Sequence, residues 1–456
     1  MRTVSQPRDL TSGPAGRQLL LFALPLLGSS LIQQLYNTVD LFFVGNLLGK
    51  DSMAAVGASS LLTSCMVGFF TGLAVGTGVI MAQAQGEKNS KKIRQIVHTA
   101  MGISFAGSVL LTILGLLLSR PILLLMHTPA GILEEGLLYI RIYLLSMLPL
   151  FLYNMNSGII RARGDSRTPM FLQLLGASLN IVLDWISMGI LGMGVEGAAW
   201  ATLISQAAAA LGTLVYLMRQ KDAYHLYWSR IRITSGVLKA VLRIGIPAGL
   251  QNLVITISNI FVQTAINHQG VVAITAFTAY FKVELILYLP IVAFGQAVTT
   301  FTGQNYGAEK TDRIRKGIRA GLLIGMIYTA LMAMLMLALG QTAFGLFNQD
   351  PAVIAVGQRI IRVTFPFYWL YAILEMHGDA LRGIGQSVTP MVLILFCMCV
   401  LRTGMLFLFQ QIWGTLEAVA AVYPCAWLAA AVCLVLAWKK SYNKLRSVSG
   451  ETGDAA

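Results

Sequence analysis

Long apolar runs, each about 20 residues or more, follow one another along this chain with only short polar segments between them. About 20 apolar residues are needed for a helix to cross a lipid bilayer. The predicted spans are 18–45, 53–83, 93–118, 133–158, 169–190, 196–218, 237–266, 271–300, 313–339, 353–379, 389–411 and 417–438, twelve in all. No segment alternates apolar and polar residues, so a β-barrel is excluded. The composition agrees: 56% of residues are hydrophobic, 11% are charged and the mean hydropathy is +0.71. A soluble protein of this length needs more polar surface. The expected fold class is therefore an all-α polytopic membrane protein. The first apolar run, from Leu19, continues for roughly 27 residues without a small-x-small cleavage site, so it reads as a spanning helix and not as a cleaved signal.

The polar segments test the count of twelve. If sides are assigned alternately from the N-terminus, one side collects Arg2, Arg8 and Arg17, then Lys88–Arg94, Arg161–Arg167, Arg219–Arg243, Lys310–Arg319, Arg382 and Lys439–Arg446. The other side holds only Lys50 and Arg120. Basic residues mark cytoplasmic loops, so both termini are expected in the cytoplasm of a multi-pass protein of the inner (plasma) membrane. This asymmetry also accounts for most of the net charge of +14, and no nucleic-acid partner is implied. The expected organisation is a cytoplasmic segment 1–17, an N-lobe 18–218, a cytoplasmic linker 219–236, a C-lobe 237–438 and a cytoplasmic tail 439–456.

The two lobes repeat one another. Arg161-Ala-Arg-Gly164-Asp-Ser166-Arg-Thr168-Pro169-Met170 matches Arg382-Gly-Ile-Gly385-Gln-Ser387-Val-Thr389-Pro390-Met391. At nearly the same offset Gln83 and Gly86 pair with Gln304 and Gly307, Ile93-Arg94 with Ile314-Arg315, and Pro25 with Pro247. Six helices per repeat is an even number, so the two repeats run parallel, related by an axis along the membrane normal. Transporters are built this way, with sites at the repeat interface or within the lobes.

Four carboxylates interrupt the apolar spans: Asp40, Asp184, Glu284 and Glu375. An acid at the centre of a membrane helix costs about 2.5–3.5 kcal/mol on insertion scales, so each is a functional candidate by default. At 1.5 Å per residue, Asp40 and Asp184 each lie roughly 8–9 Å from the outer end of their helices, and Thr202 lies at the same level. Asn180 precedes Asp184 by four residues and shares its face. No basic residue stands at that depth in the N-lobe. Such acids are stabilised by protonation, or by a hard cation held by carboxylate, amide and hydroxyl oxygens. Gln33, Tyr36, Asn37 and Asp40 form one polar stripe on the first helix, and the first three are candidate substrate contacts. In the C-lobe, Lys282, Glu284 and Arg402 lie at compatible depths and are expected to form a charged network. Glu375, about two turns from Arg382, is counted with them as a gate or pairing residue.

Other residues carry less. Pro25 is the candidate for a moving bend, because it lies on the helix that carries Asp40. The five cysteines all lie in apolar runs and read as packing residues. The histidines (His98, His127, His225, His268, His377) are scattered and suggest neither a metal site nor an intramembrane enzyme.

Together these features resemble the multidrug and toxic compound extrusion (MATE) family over nearly the whole chain, about residues 15–440. The resemblance rests on the two six-helix halves, Pro25 and Asp40 in helix one, the Gln83–Gly86 and Gln304–Gly307 segments, the Arg-x-x-Gly-x-x-x-Thr-Pro segments and the Asn180–Asp184 pair with Thr202. It implies two lobes about a central V-shaped cavity. It implies secondary active antiport, working by alternating access: export of amphipathic, often cationic organic compounds in exchange for Na⁺ or H⁺. It carries the family's N-lobe cation site onto Asp40, Asn180, Asp184 and Thr202, which would hold Na⁺ if sodium is the coupling ion. The implied partners are small organic substrates and membrane lipid. No cofactor beyond the coupling ion is implied, nor an enzymatic reaction, and the functional unit is expected to be a monomer. Some family members carry a glutamate in helix seven. Here that stretch reads Gln251-Asn-Leu-Val-Ile-Thr-Ile257, without an acid, which favours coupling through the N-lobe. The alternative within the same superfamily is a lipid-linked oligosaccharide flippase, for which Lys282 and Arg402 are the only deep basic residues.

Overall fold

The computed structural model describes residues 7–126 and 128–448. Arg2, His127 and the tail from residue 449 lie outside the described residues. Among the described residues there is no strand, and the chain forms twelve helical rods. These are α1 (Ala15–Leu48), α2 (Lys50–Gly86), α3 (Ser90–Leu125), α4 (Ala130–Leu145 continued by Met147–Ala162), α5 (Arg167–Ile190) and α6 (Val195–Met218). The second six are α7 (Ser235–Asn267), α8 (Val271–Gly307), α9 (Thr311–Gly345), α10 (Pro351–Thr364, a 3-10 turn Phe365–Phe367, then Tyr368–Gly383), α11 (Val388–Ile412) and α12 (Leu416–Val448).

Ten rods are long and apolar enough to cross a bilayer, and α4 makes an eleventh as one span bent by 45°. At that bend the Ser146 hydroxyl and backbone N–H both donate to the Tyr143 carbonyl, at 2.6 and 2.9 Å. The twelfth rod, α10, falls short. It is broken at Pro366 into helices of 14 and 16 residues, and it carries Arg359, Arg362, Glu375, Asp379 and Arg382. Three rods contain a π-helical turn: Val44–Leu48, Trp185–Ile190 and Phe396–Leu401. The first two follow Asp40 and Asp184, and the third ends against Arg402. Such turns occur disproportionately at functional sites.

The internal repeat recurs in backbone geometry. Gly164 and Gly385 both adopt positive φ, +103° and +86°, and each donates its N–H at 2.8 Å to the carbonyl three residues earlier, Arg161 and Arg382. Lys88 and Glu309 are the two non-glycine residues with positive φ among the described residues, at 53° and 57°. They follow Gly86 and Gly307 at the same distance. A residue with a Cβ rarely takes this conformation, so its recurrence at matched positions shows one loop design used twice.

The chain divides into two compact units. One comprises residues to Asp9 and Gly28–Gly249, the other Leu10–Leu27 and the residues from Leu250 onward. Both α1 and α7 therefore contribute to both units. In the first unit α2 and α7 pack backbone to backbone: a Cβ on Gly72 would lie 2.3 Å from the Gly249 nitrogen, and one on Gly76 would lie 2.6 Å from the Val241 oxygen. Small residues permit this approach where no hydrophobic effect drives helices together. Phe70 and Phe151 meet at 4.0 Å between ring centres in the same core. The core of the second unit is aromatic, with Phe277, Tyr280, Phe301, Tyr368 and Trp427 buried. Leu110, Leu117, Leu331 and Met334 are more than half exposed on the rods' outer faces, as lipid contact requires. The segment after α6 is fixed to the first unit. Arg163 pairs with Asp222 at 2.6 Å, the Tyr224 hydroxyl donates to Gln85 at 2.7 Å, and the Tyr227 N–H donates to His98 Nε2 at 3.2 Å.

Candidate functional site: a buried carboxylate pair

The first unit gathers the expected polar residues of three rods. Asp40 on α1 is 8% exposed, Thr202 on α6 is 3% exposed, and Asn180 and Asp184 on α5 are fully buried. The carboxyl groups of Asp40 and Asp184 are immediate neighbours. The Tyr36 hydroxyl donates to Thr202 Oγ1 at 2.9 Å, linking α1 to α6 beside them. Tyr139 and Tyr143 on α4, stacked at 5.9 Å, lie within electrostatic reach of Asp40. Neither tyrosine has a sequence signature, since aromatic residues are ordinary in an apolar span.

The hydrogen bonding of this group is incomplete. Asp40 Oδ1, both carboxylate oxygens of Asp184, and both Oδ1 and Nδ2 of Asn180 are buried without a partner. No ion pair among the described residues includes either acid. Buried polar atoms are nearly always satisfied, and each exception calls for an explanation. Four unpartnered oxygens from two carboxylates and an amide are the donor chemistry that a hard cation takes. A proton taken up by one acid would relieve the same repulsion. Among the described residues there is no group of three or more His, Cys, Asp or Glu side chains fit for a metal ion, so this arrangement does not match a transition-metal centre.

The candidate substrate contacts sit on the same rod. Gln33 Nε2 donates to Asn37 Oδ1 at 3.4 Å, and both side chains are exposed. Gln173 on α5 donates to Gln33 Oε1 at 2.8 Å, and the Tyr153 hydroxyl, which donates to the Pro169 carbonyl at 2.8 Å, lies 3.3 Å from Gln173 Oε1. Sequence reasoning missed Gln173 and Tyr153, because depth along a helix does not give the direction in which a single polar side chain points around it. Around Pro25, α1 continues without a helical break.

The expected charged network of the second unit does not form. Lys282 is exposed and in no ion pair among the described residues. Glu284 Oε1 instead accepts from Tyr280 at 3.4 Å and Tyr368 at 3.1 Å. Arg402 Nη2 donates to Ser258 Oγ at 2.7 Å and Asn259 Oδ1 at 2.9 Å. Glu375 stands beside a different pair, Asp379 with Arg382, and Arg382 also donates to Gln251 at 3.0 Å. Lys282 and Glu284 are two residues apart, and helix residues at that spacing do not face each other.

The comparisons with known proteins fit this picture. The MatE family model matches residues 25–186 and 247–408, once in each half. The chain is 28% identical over 442 residues to a probable multidrug resistance protein, YoeA, of Bacillus subtilis, covering 93% of this chain and 94% of that one. It is 24% identical over 379 residues to the multidrug export protein MepA of Staphylococcus aureus, covering 82% and 83%. Among solved structures, a MATE protein in its straight conformation superposes with a TM-score of 0.91 at 24% identity, over 98% of this chain and 100% of that one. An outward-facing multidrug resistance MATE transporter of the MOP superfamily superposes at 0.88, with the same identity and coverage. A multi-pass membrane protein with this repeat, fold and family match is a transporter, and the chain belongs to the MatE family of multidrug and toxic compound extrusion proteins.

Proposed function

We propose that this protein is a secondary active antiporter that exports amphipathic, often cationic organic compounds in exchange for Na⁺ or H⁺. The coupling ion binds at Asp40, Asn180, Asp184 and Thr202, and the protein lies in the plasma membrane with both termini cytoplasmic. One observation carries the reading: two neighbouring carboxylates are buried with unpartnered oxygens and no basic residue in contact. Two such acids cannot both stay ionised cheaply. One positive charge, arriving as a proton or as a sodium ion, relieves the repulsion. Asn180 and Thr202 then supply neutral oxygens to a metal ion that a proton does not require. The names of the similar proteins, multidrug resistance and multidrug export, support organic compounds as the cargo.

Exchange follows if the ion and a cationic substrate stabilise the same negative charge in turn. An ion entering from outside neutralises the pair and weakens the hold on the cation, and its release toward the cytoplasm restores that hold. Each ligand shifts the conformational equilibrium only by its differential affinity for the two states. The test is transport by the reconstituted protein, with cationic dye efflux driven by imposed sodium and proton gradients applied separately. Efflux that proceeds uphill under one of them supports antiport. Dye movement that never exceeds equilibration under either gradient would contradict it.

A further inference from the structure

The segment between α6 and α7 is anchored along one side of α3. The Tyr227 N–H donates to His98 Nε2 at 3.2 Å, the Thr234 N–H donates to Thr99 Oγ1 at 3.2 Å, and Thr99 Oγ1 donates to the Arg232 carbonyl at 3.4 Å. A Cβ on Gly102 would lie 2.7 Å from Ile233, so its absence lets the segment approach the helix closely. Trp228 meets Phe105 at 6.3 Å between ring centres. These anchors fix the backbone and leave large side chains outward. Tyr227, Trp228 and Ile233 are 43%, 48% and 46% exposed. Arg230 and Arg232 are exposed in the same segment, as are Lys239 and Arg243 at the start of α7. The Arg230 guanidinium lies 4.8 Å from the centre of the Tyr227 ring. Residues 223–243 contain these lysines and arginines and no Asp or Glu. None of the four is in an ion pair among the described residues.

The length of α3 gives this patch a depth. The helix has 36 residues, about 54 Å at 1.5 Å per residue, against a hydrocarbon core of about 30 Å. Its first turns, where Lys91 and Arg94 are exposed, therefore project beyond the hydrocarbon. The outward apolar residues begin one turn past Phe105: Val109, Leu110, Ile113 and Leu117 are each more than half exposed. Trp228, set against Phe105, stands at the edge of that lipid-facing stretch. Tryptophan and tyrosine concentrate at this level of a membrane protein, with the ring toward the acyl chains and the polar tip toward the headgroups. Basic residues beside them meet the phosphates, and arginine binds phosphate through paired N–H donors.

We propose that Tyr227–Ile233 lies in the headgroup layer and holds an anionic phospholipid, with Tyr227, Trp228 and Ile233 against the acyl-chain boundary and Arg230 and Arg232 on the phosphate. The connection between the repeats is then a membrane-surface element and not a solvated tether. None of its residues is among those proposed to bind the coupling ion, and lipid binding needs no ion gradient.

The test uses the full-length protein. Native mass spectrometry from detergent measures adducts of phosphatidylglycerol and phosphatidylcholine of equal chain length across a titration. Wild type is expected to bind phosphatidylglycerol more tightly. The double variant Arg230→Gln, Arg232→Gln is expected to weaken that binding by roughly tenfold or more, and Lys439→Gln, Lys440→Gln, which removes the same charge from α12, to leave it within about twofold. Amide hydrogen exchange of wild type in nanodiscs needs no variant, which keeps the test decisive should the arginine variant fold poorly. Peptides spanning the linker are expected to exchange more slowly in mixed phosphatidylcholine–phosphatidylglycerol discs than in phosphatidylcholine alone. Equal binding of the two lipids by wild type, equal losses in the two double variants, or equal exchange in the two discs, as a linker facing bulk water would give, would each overturn the proposal.

Discussion

The Tyr36 hydroxyl donates to Thr202 Oγ1 at 2.9 Å, and this bond joins α1 and α6 at the carboxylate pair. Tyr36→Phe removes it at nearly constant volume. Loss of a typical buried hydrogen bond costs about 1 kcal/mol, so a small fall in thermal stability is expected. Thr202 Oγ1 is then free to serve a metal ion, so sodium-dependent efflux is expected to persist. A complete loss of transport in a folded Tyr36→Phe protein would show that the hydroxyl acts in the cycle itself.

Gly164 tests the repeated loop. Its φ is +103°, and an added Cβ would lie 2.0 Å from the Arg8 carbonyl oxygen. Gly49 has a similar φ of +92° with open space around it. Gly49→Ala should carry only dihedral strain, about 1–3 kcal/mol. Gly164→Ala carries that strain and also displaces the bond from the Arg8 N–H to the Gly164 carbonyl, 3.2 Å. Thermal unfolding in detergent is expected to show the larger loss for Gly164→Ala, and equal losses would mean that the Arg8 segment yields freely.

The residues of the carboxylate pair could be read from the sequence because polar atoms inside apolar runs have a calculable depth. Asp40, Asp184 and Thr202 reach one level by counting at 1.5 Å per residue, and Asn180 shares a face with Asp184. Depth alone says nothing about direction around a helix. Lys282, Glu284 and Arg402 share a level but not a face, and the expected network was replaced by tyrosine hydroxyls and neutral donors. Asp379 escaped notice beside the repeated loop, although its spacing of three from Arg382 is a pairing signal. The π-helical turns at Val44–Leu48, Trp185–Ile190 and Phe396–Leu401 leave no pattern in residue type, because they are set by packing. The division of α1 between the two units just after Pro25 is likewise a tertiary property.

The proposed orientation, with both termini cytoplasmic, rests on the distribution of basic residues. Single cysteines placed at Glu196 and Lys221, at opposite ends of α6, should label from opposite faces, with position 221 protected in intact cells. Labelling of both from outside would overturn the assignment of cytoplasmic termini.

Protons and sodium should compete if they share the carboxylate pair. Sodium binds the ionised acids, so raising it should move the pH midpoint of cationic-substrate binding to lower pH. Asn180→Ala removes a neutral oxygen that matters only to the metal ion, and it should shrink the sodium effect more than the proton effect. A midpoint that does not respond to sodium in wild type would leave protons as the sole coupling ion.

Coupling through Asp40 is the central claim, and its most direct test is ion-driven efflux of a cationic dye from proteoliposomes containing wild-type or Asp40→Asn protein. The amide keeps the volume and removes the ionisable charge. The expected result is uphill efflux by wild type and none by Asp40→Asn, with the variant inserted and folded as wild type is. Uphill efflux at the wild-type rate by folded Asp40→Asn protein would contradict the claim.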